Sequence, residues 1–384
     1  MPVNQDQFKA IVSGRRQDAR ARVARCVLGG ASLGYGLAVR IRNALYCSGW
    51  LRARRAGVPV ISVGNLTAGG TGKTPLVVWL AGLLQDKDLR VAILTRGYKA
   101  TRVAHARHQA AVGTVQPTDD EPAELASMCP EVPVIINPDR VAGAAEAVGS
   151  HAAQVLLLDD GFQHRRLARD LDIVTIDATL PFGYGKLLPA GLLREPVSGL
   201  RRAHAVVLTR SDQVGEEELL RIEKHLRQVN KELLICRAVH APVAVRMPGE
   251  NHLDLPQLRG KKVFGFCGIG NPTAFFETLE RLGCTLVGSR SFNDHHRYSD
   301  ECLSQIHEQA TERQADLLLT TQKDWTKIAH LTQPRQKPPI ACVIVRLQLV
   351  SRATDLTALI ERTVSGKMSF LQSFGTQEAS RSEN

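Results

Sequence analysis

Residues 64–75 read Gly-Asn-Leu-Thr-Ala-Gly-Gly-Thr-Gly-Lys-Thr-Pro and follow Val58-Pro-Val-Ile-Ser-Val63, an apolar alternation typical of a strand. The chemistry this spacing allows is phosphate binding. Gly69, Gly70 and Gly72 reach backbone conformations closed to other residues, so successive N–H groups can turn toward phosphate oxygens. Lys73 adds a positive charge for the β- and γ-phosphates, and Thr74 places a hydroxyl for Mg²⁺ at the start of a helix whose dipole favours anions. The candidate cradle is therefore Thr67, Ala68, Gly69, Gly70, Thr71, Gly72, Lys73 and Thr74, with Thr67 standing where the general G-x-x-x-x-G-K-[ST] pattern has glycine. Pro75 lies in the first turn of the helical pattern that follows, where a missing N–H costs nothing.

Two more constellations carry chemistry. Val155-Leu-Leu-Leu158 runs into Asp159-Asp160-Gly161, which brings two carboxylates to the carboxyl edge of a sheet, the place of a Walker B acid that holds Mg²⁺ or its water shell. Gln163, His164, Arg165 and Arg166 follow at once, and a side chain from this loop can bind substrate or orient a phosphate. In Thr118-Asp-Asp-Glu-Pro-Ala-Glu124, Asp120 suits a helix cap and equally suits a general base.

The elements that must position these groups alternate as apolar runs and helical patterns: Val60–Val63, a helix to Leu84, Val91–Thr95, a helix from Glu121, Val134–Ile136, a helix from Asp139, Val155–Leu158, Ile173–Ile176 and Ala205–Thr209. Short strands with four or more apolar residues in succession imply burial on both faces, as in a doubly wound parallel sheet. A less regular, proline-bearing stretch from about 232 to 258 precedes a second series of strands at 262–267, 285–288 and 316–320, and Gly268-Ile-Gly270 within it reads as a tight strand-to-helix turn. The expected organisation is an N-terminal arm over 1–50, a P-loop domain over 51–235, a smaller Rossmann-like α/β domain over 236–365 and a disordered tail over 366–384.

The charge is uneven. Lys and Arg number 49 against 38 Asp and Glu, and residues 1–60 hold eleven basic side chains against Asp6 and Asp18, so most of the net +11 lies in the arm. A nearly neutral body argues against a nucleic-acid groove, and a basic arm argues for an anionic surface. Within the arm, residues 26–39 are uncharged, flanked by Arg22 and Arg25 and by Arg40 and Arg42. The run is shorter than the about 20 apolar residues of a membrane span and suits an interfacial helix among anionic headgroups. The eight cysteines form no C-x-x-C pair and read as reduced, buried thiols.

Val63–Pro75, Thr95-Arg-Gly-Tyr98, Asp120-Glu-Pro122, Leu158–His164, Leu188-Pro-Ala-Gly-Leu-Leu-Arg-Glu195, Phe292-Asn-Asp-His-His-Arg-Tyr298 and Thr320-Thr-Gln-Lys-Asp324, taken in order, resemble the tetraacyldisaccharide 4'-kinase family of lipid A biosynthesis. Thr67 is that family's own habit. The resemblance implies ATP and Mg²⁺ as cofactors and phosphorylation of the 4'-hydroxyl of a tetraacyldisaccharide 1-phosphate, giving lipid IVA, at the cytoplasmic face of the inner membrane of a Gram-negative bacterium, with no obligate protein partner. It implies Asp120 as base supported by His295, Lys73, Arg194 and Glu195 at the reacting centre, Thr74, Asp159 and Asp160 at the metal, and Asn65, Tyr98 and Gln163 on the substrate. Asp119, where the family often has glycine, leaves open which acid is the base, and His296 leaves open which histidine supports it. Gln322 stands where glutamate is common.

Two other classes share parts of the pattern. A partitioning-type ATPase switch has lysine where Ala68 stands, and Leu208-Thr-Arg-Ser-Asp212 only faintly echoes the guanine-reading loop of a metal-insertion GTPase.

Overall fold

The computed structural model describes residues 5–97, 120–293, 296–329, 331 and 337–382. The chain divides into two compact units, one of Met1–His108, Met128–Val239 and Gln348–Asn384, the other of Gln109–Ser127 and His240–Leu347. Two of the passages between them lie within long strands, β7 (Leu234–Arg246) and β12 (Ile340–Ser351).

The first unit opens with two helices, α1 (Gln5–Val12) and α2 (Ala19–Cys47). Its parallel strands are β1 (Val60–Asn65), β2 (Val91–Thr95), β3 (Val134–Ile136), β4 (Val155–Asp159), β5 (Leu171–Asp177) and β6 (Ala205–Thr209), ordered β3-β2-β4-β1-β5-β6 and continued by the start of β7. Every residue of β1 is buried, Ser62 and Asn65 included, as a central strand covered on both faces requires. Ile61 pairs with Leu157 on one side and Leu171 on the other, so the carboxyl ends of β1, β4 and β5 lie together. That shared edge is where ligands bind in open α/β sheets.

Helices α3 (Lys73–Gln85), α5 (Arg140–His151) and α6 (Glu216–Val229) follow β1, β3 and β6. Asp139 caps α5, its carboxylate accepting from the Val141 amide at 3.0 Å. Leu219, Ile222 and Leu226 of α6 join Phe162, Val174 and Ile176 in one core cluster, whereas Ala144 and Ala147 of α5 join Leu94, Leu156 and Leu158 in another. The last helix of the chain, α10 (Ala353–Ser382), belongs to this unit and buries Leu356, Ile360 and Val364. The disordered tail expected from 366 is thus helical through Ser382, because the apolar spacing of the preceding turns continues the helix past the polar segment's start.

The second unit holds α4 (Asp120–Met128), β8 (His252–Leu253), β9 (Lys262–Cys267), α7 (Pro272–Arg281), β10 (Thr285–Ser291), α8 (Asp300–Glu312), β11 (Leu317–Thr321) and α9 (Gln322–Ile328). Strands β10, β9, β11 and β12 are parallel, and β8 pairs antiparallel with the end of β7. Strand β9 alternates between two cores, Val263 and Cys267 with Phe275 and Leu279, and Phe264 and Phe266 with Leu303 and Ile306. Gly268-Ile-Gly270 is the turn from β9 to α7, whose Ala274 amide donates to Asn271 Oδ1 at 3.3 Å.

Candidate active site

The loop after β1 is held open from behind by polar side chains of neighbouring strands. Gly72 adopts φ 80°, a left-handed conformation that turns the chain into α3. Asn65 is wholly buried and donates from Nδ2 to the Gly69 carbonyl at 3.3 Å and to Thr71 Oγ1 at 3.0 Å. Thr71 Oγ1 meets Thr175 Oγ1 of β5 at 2.7 Å, and Thr209 of β6 donates to the Thr71 carbonyl at 2.9 Å. Arg210, just past β6, pairs with Asp177 and donates to the Gly70 carbonyl at 3.1 Å. Asn65, expected on the substrate, therefore braces the cradle in this structure.

Opposite the cradle, β4 delivers Asp159 and Asp160. Asp159 is buried, and Asp160 turns left-handed with φ 50°. The chain crosses β1 so tightly here that a Cβ on Gly64 would lie 2.6 Å from the Phe162 amide nitrogen. Asp160 Oδ1 stands 3.6 Å from Lys73 Nζ, and both carboxylate oxygens accept from Arg194 Nη1 at 2.8 Å. Burial pushes the Asp160 carboxyl up, but Lys73 and Arg194 more than offset it and hold it below the ordinary value. Behind it, Arg140 donates to the Asp159 carbonyl at 3.3 Å, and its burial, only partly offset by Asp159 and Asp160, lowers it to about 10. His164 is lowered to about 4, first by burial and then by Arg140 and Arg169, so it stays neutral.

A third segment closes the site. Leu187–Glu195 lies antiparallel to the start of the cradle: the Ala68 amide donates to the Leu192 carbonyl and the Arg194 amide to the Leu66 carbonyl, both at 2.7 Å. Glu195 next door is 0% exposed. It accepts from Arg202 at 2.7 and 2.8 Å and from Gln163 Nε2 at 2.9 Å, while Gln163 also donates to the Asn65 carbonyl at 2.8 Å. Arg202 in turn lies 3.7 Å from the centre of the Phe162 ring. Glu195 is thus a buried anchor that fixes the segment carrying Arg194, since a charge without water needs such a full set of partners.

The structure brings together Lys73, Asp160, Arg194, Glu195, Gln163 and Asn65, with Thr74 in the first turn of α3. Tyr98, Asp119 and His295 lie outside the described residues, as does the side chain of Asp120, whose backbone opens α4. His296 is a packed histidine: its ring stacks on Phe292 at 4.4 Å, faces Tyr298 edge-on at 4.9 Å and is lowered by burial and then by Lys327. The bracing residues Thr175, Thr209, Arg210 and Arg202 carry no motif. Thr175 lies within β5, Thr209 ends β6 with Arg210 next to it, and Arg202 ends the turn Val197–Arg202, so local spacing does not mark them.

A glycine cradle after a central parallel strand, a lysine entering the next helix, and a carboxylate at the end of the adjacent strand define a P-loop nucleotide-binding enzyme. Residues 24–365 match the family of tetraacyldisaccharide-1-P 4'-kinases, LpxK. The tetraacyldisaccharide 4'-kinase of Syntrophotalea carbinolica is 41% identical, over 82% of this chain and 85% of its own, and that of Halothermothrix orenii is 37% identical over 77% and 81%. The crystal structure of LpxK from Aquifex aeolicus in complex with ATP has a TM-score of 0.67 at 31% identity, covering 89% of this chain and 99% of that one. The chain belongs to the tetraacyldisaccharide 4'-kinase family.

Proposed function

We infer that this chain transfers the γ-phosphate of ATP to the 4'-hydroxyl of a tetraacyldisaccharide 1-phosphate in lipid A biosynthesis. The observation that carries the reading is the convergence of Lys73, Asp160 and Arg194 at the mouth of the 67–74 cradle. Phosphoryl transfer needs positioning and charge neutralisation more than covalent chemistry. The loop amides and Lys73 hold the phosphate tail, and Arg194 offsets charge as the bond from the 4'-oxygen to the γ-phosphorus forms and ADP departs.

Thr74, Asp159 and Asp160 are a hydroxyl and two carboxylates, the hard oxygen donors that suit Mg²⁺. When bound, the ion neutralises phosphate charge. Asp120, oriented by His295, takes the proton of the 4'-hydroxyl. Asn65 and Gln163 serve the substrate through the loop they hold, Tyr98 meets it directly, and Glu195 acts as the anchor of Arg194.

A substrate with four acyl chains stays in a bilayer, and α2 offers a surface to meet it. Val23, Val27, Leu33, Leu37 and Ile41 are 52–79% exposed and fall within about a third of the helix circumference. Among the described residues no helix is long and apolar enough to cross a membrane. The outward apolar stripe and the arginines that flank it support a helix seated on the anionic cytoplasmic face of the inner membrane, its arginines among the headgroups.

The test is transfer of radiolabel from ATP to tetraacyldisaccharide 1-phosphate in detergent. Lys73→Ala is expected to slow it by two to three decades, about 3–4 kcal/mol of barrier. A rate within a few-fold of wild type removes the cradle from the chemistry.

A further inference from the structure

The face of α2 turned away from the exposed apolar stripe carries Ser32 and Tyr35, which grip the two ends of the segment that carries Arg194. Ser32 Oγ donates to the Leu187 carbonyl at 2.9 Å, and Tyr35 Oη donates to the Arg194 carbonyl at 2.7 Å. The two side chains stand three residues apart, on one side of the helix. The approach is close because position 36 is glycine: a Cβ there would lie 2.8 Å from Leu187 Cδ1. One and two turns further on, the same face places Val39 in the core and Asn43 Nδ2 3.5 Å from Glu195 Oε2.

The bond at Arg194 is the informative one. Its amide is already spent on the Leu66 carbonyl and its guanidinium on Asp160, so the Tyr35 hydroxyl fixes the last free handle of that peptide. The Arg194 backbone is thus held at its amide and at its carbonyl, and the guanidinium reaches Asp160 from that fixed base. An interfacial helix that served only for attachment would need no hydrogen bond to a residue beside the phosphate cradle.

We propose that Tyr35 is a positioning residue for phosphoryl transfer, acting through Arg194, so that the seat of α2 sets the geometry of the Arg194–Asp160 pair. The proposal rests on reading Arg194 as the charge that meets the transferring phosphate. Loss of the hydroxyl leaves the cradle whole and lets the guanidinium drift, which is a defect of transition-state geometry rather than of ATP capture.

The experiment is a double-mutant cycle on the full chain in detergent, with ATP and tetraacyldisaccharide 1-phosphate as substrates and Tyr35→Phe, Arg194→Ala and the pair as variants. Tyr35→Phe is expected to lower kcat about tenfold, to leave KM for ATP within about twofold, and to cost nothing further once Arg194 is alanine. Ser32→Ala, which frees the far end of the segment, gives a smaller loss of the same kind. A structural role predicts the opposite pattern, with losses that add and a melting temperature that falls in step with them. Additive losses, or a wild-type kcat for Tyr35→Phe beside a slow Arg194→Ala, overturn the proposal and leave the kinase reading standing. A wild-type kcat for Arg194→Ala overturns the reading of Arg194 itself.

Discussion

Asp160 meets two cations at once, Lys73 at 3.6 Å and Arg194 at 2.8 Å, although its side chain is 39% exposed. A carboxylate so placed does two jobs before any ligand arrives. It keeps two like charges from repelling each other at the mouth of the cradle, and it holds both aimed at the space where phosphate charge must be offset. Asp160→Asn separates these from plain affinity. Without the carboxylate, two uncompensated cations face the phosphates, so the dissociation constant for ATP is expected to stay the same or tighten, while kcat falls by about two decades or more. Titration calorimetry with ATP and the transfer assay read the two quantities apart. A parallel loss of affinity and rate would show that Asp160 serves to hold the nucleotide, through the cradle or through Mg²⁺, and not to balance the two cations.

At the scale of elements, α2 is apolar on two sides: one stripe faces outward, while the side toward the protein buries Ala21, Gly36 and Val39 between the hydrogen-bonding Ser32, Tyr35 and Asn43. If the stripe meets lipid, Leu33→Glu with Leu37→Glu removes two side chains that each gain about 1.5–3 kcal/mol on burial, and co-sedimentation with anionic vesicles falls by tenfold or more. Transfer in detergent stays near wild type, because neither residue touches the 187–195 segment. Vesicle binding that survives the pair would assign the stripe to another partner. The arginine-flanked apolar run made this helix legible in the sequence, and local spacing made the cradle legible, since turn, lysine and helix start are consecutive residues. Which face of α2 turns inward was not legible. Neither was the Glu195–Arg202 lock, which a turn within one connecting segment closes, or the brace that Arg210 gives to Gly70, which is matched through space by parallel strands ending on one edge. The helical tail was hidden for a related reason: polar residues past 366 carry no signal that a well-packed earlier half will extend through them.

At the scale of the whole molecule, the first unit is built from both ends of the chain. Helix α10 returns to it after the second unit is complete, and it is held in two ways. Leu356 and Ile360 are fully buried and Val364 nearly so, whereas Lys87–Glu361 and Lys367–Asp170 are ion pairs at 2.7 and 3.0 Å near the surface. These two kinds of contact differ sharply in worth. Ile360→Ala deletes buried methyl groups and leaves a cavity, at a cost of about 2–5 kcal/mol, whereas Glu361→Gln breaks an exposed pair worth about 1 kcal/mol or less. The nucleotide site shares its sheet with the strand ends that α10 closes over, because Lys367 pairs with Asp170, and Asp170 accepts from the Val60 amide at the start of β1. Ile360→Ala is therefore expected to lower the melting temperature several-fold more than Glu361→Gln, and saturating ATP should recover part of the loss by binding only the folded unit. Equal shifts for the two variants, or no recovery with ATP, would mean that α10 is an appendage and that the first unit is complete without the last stretch of the chain.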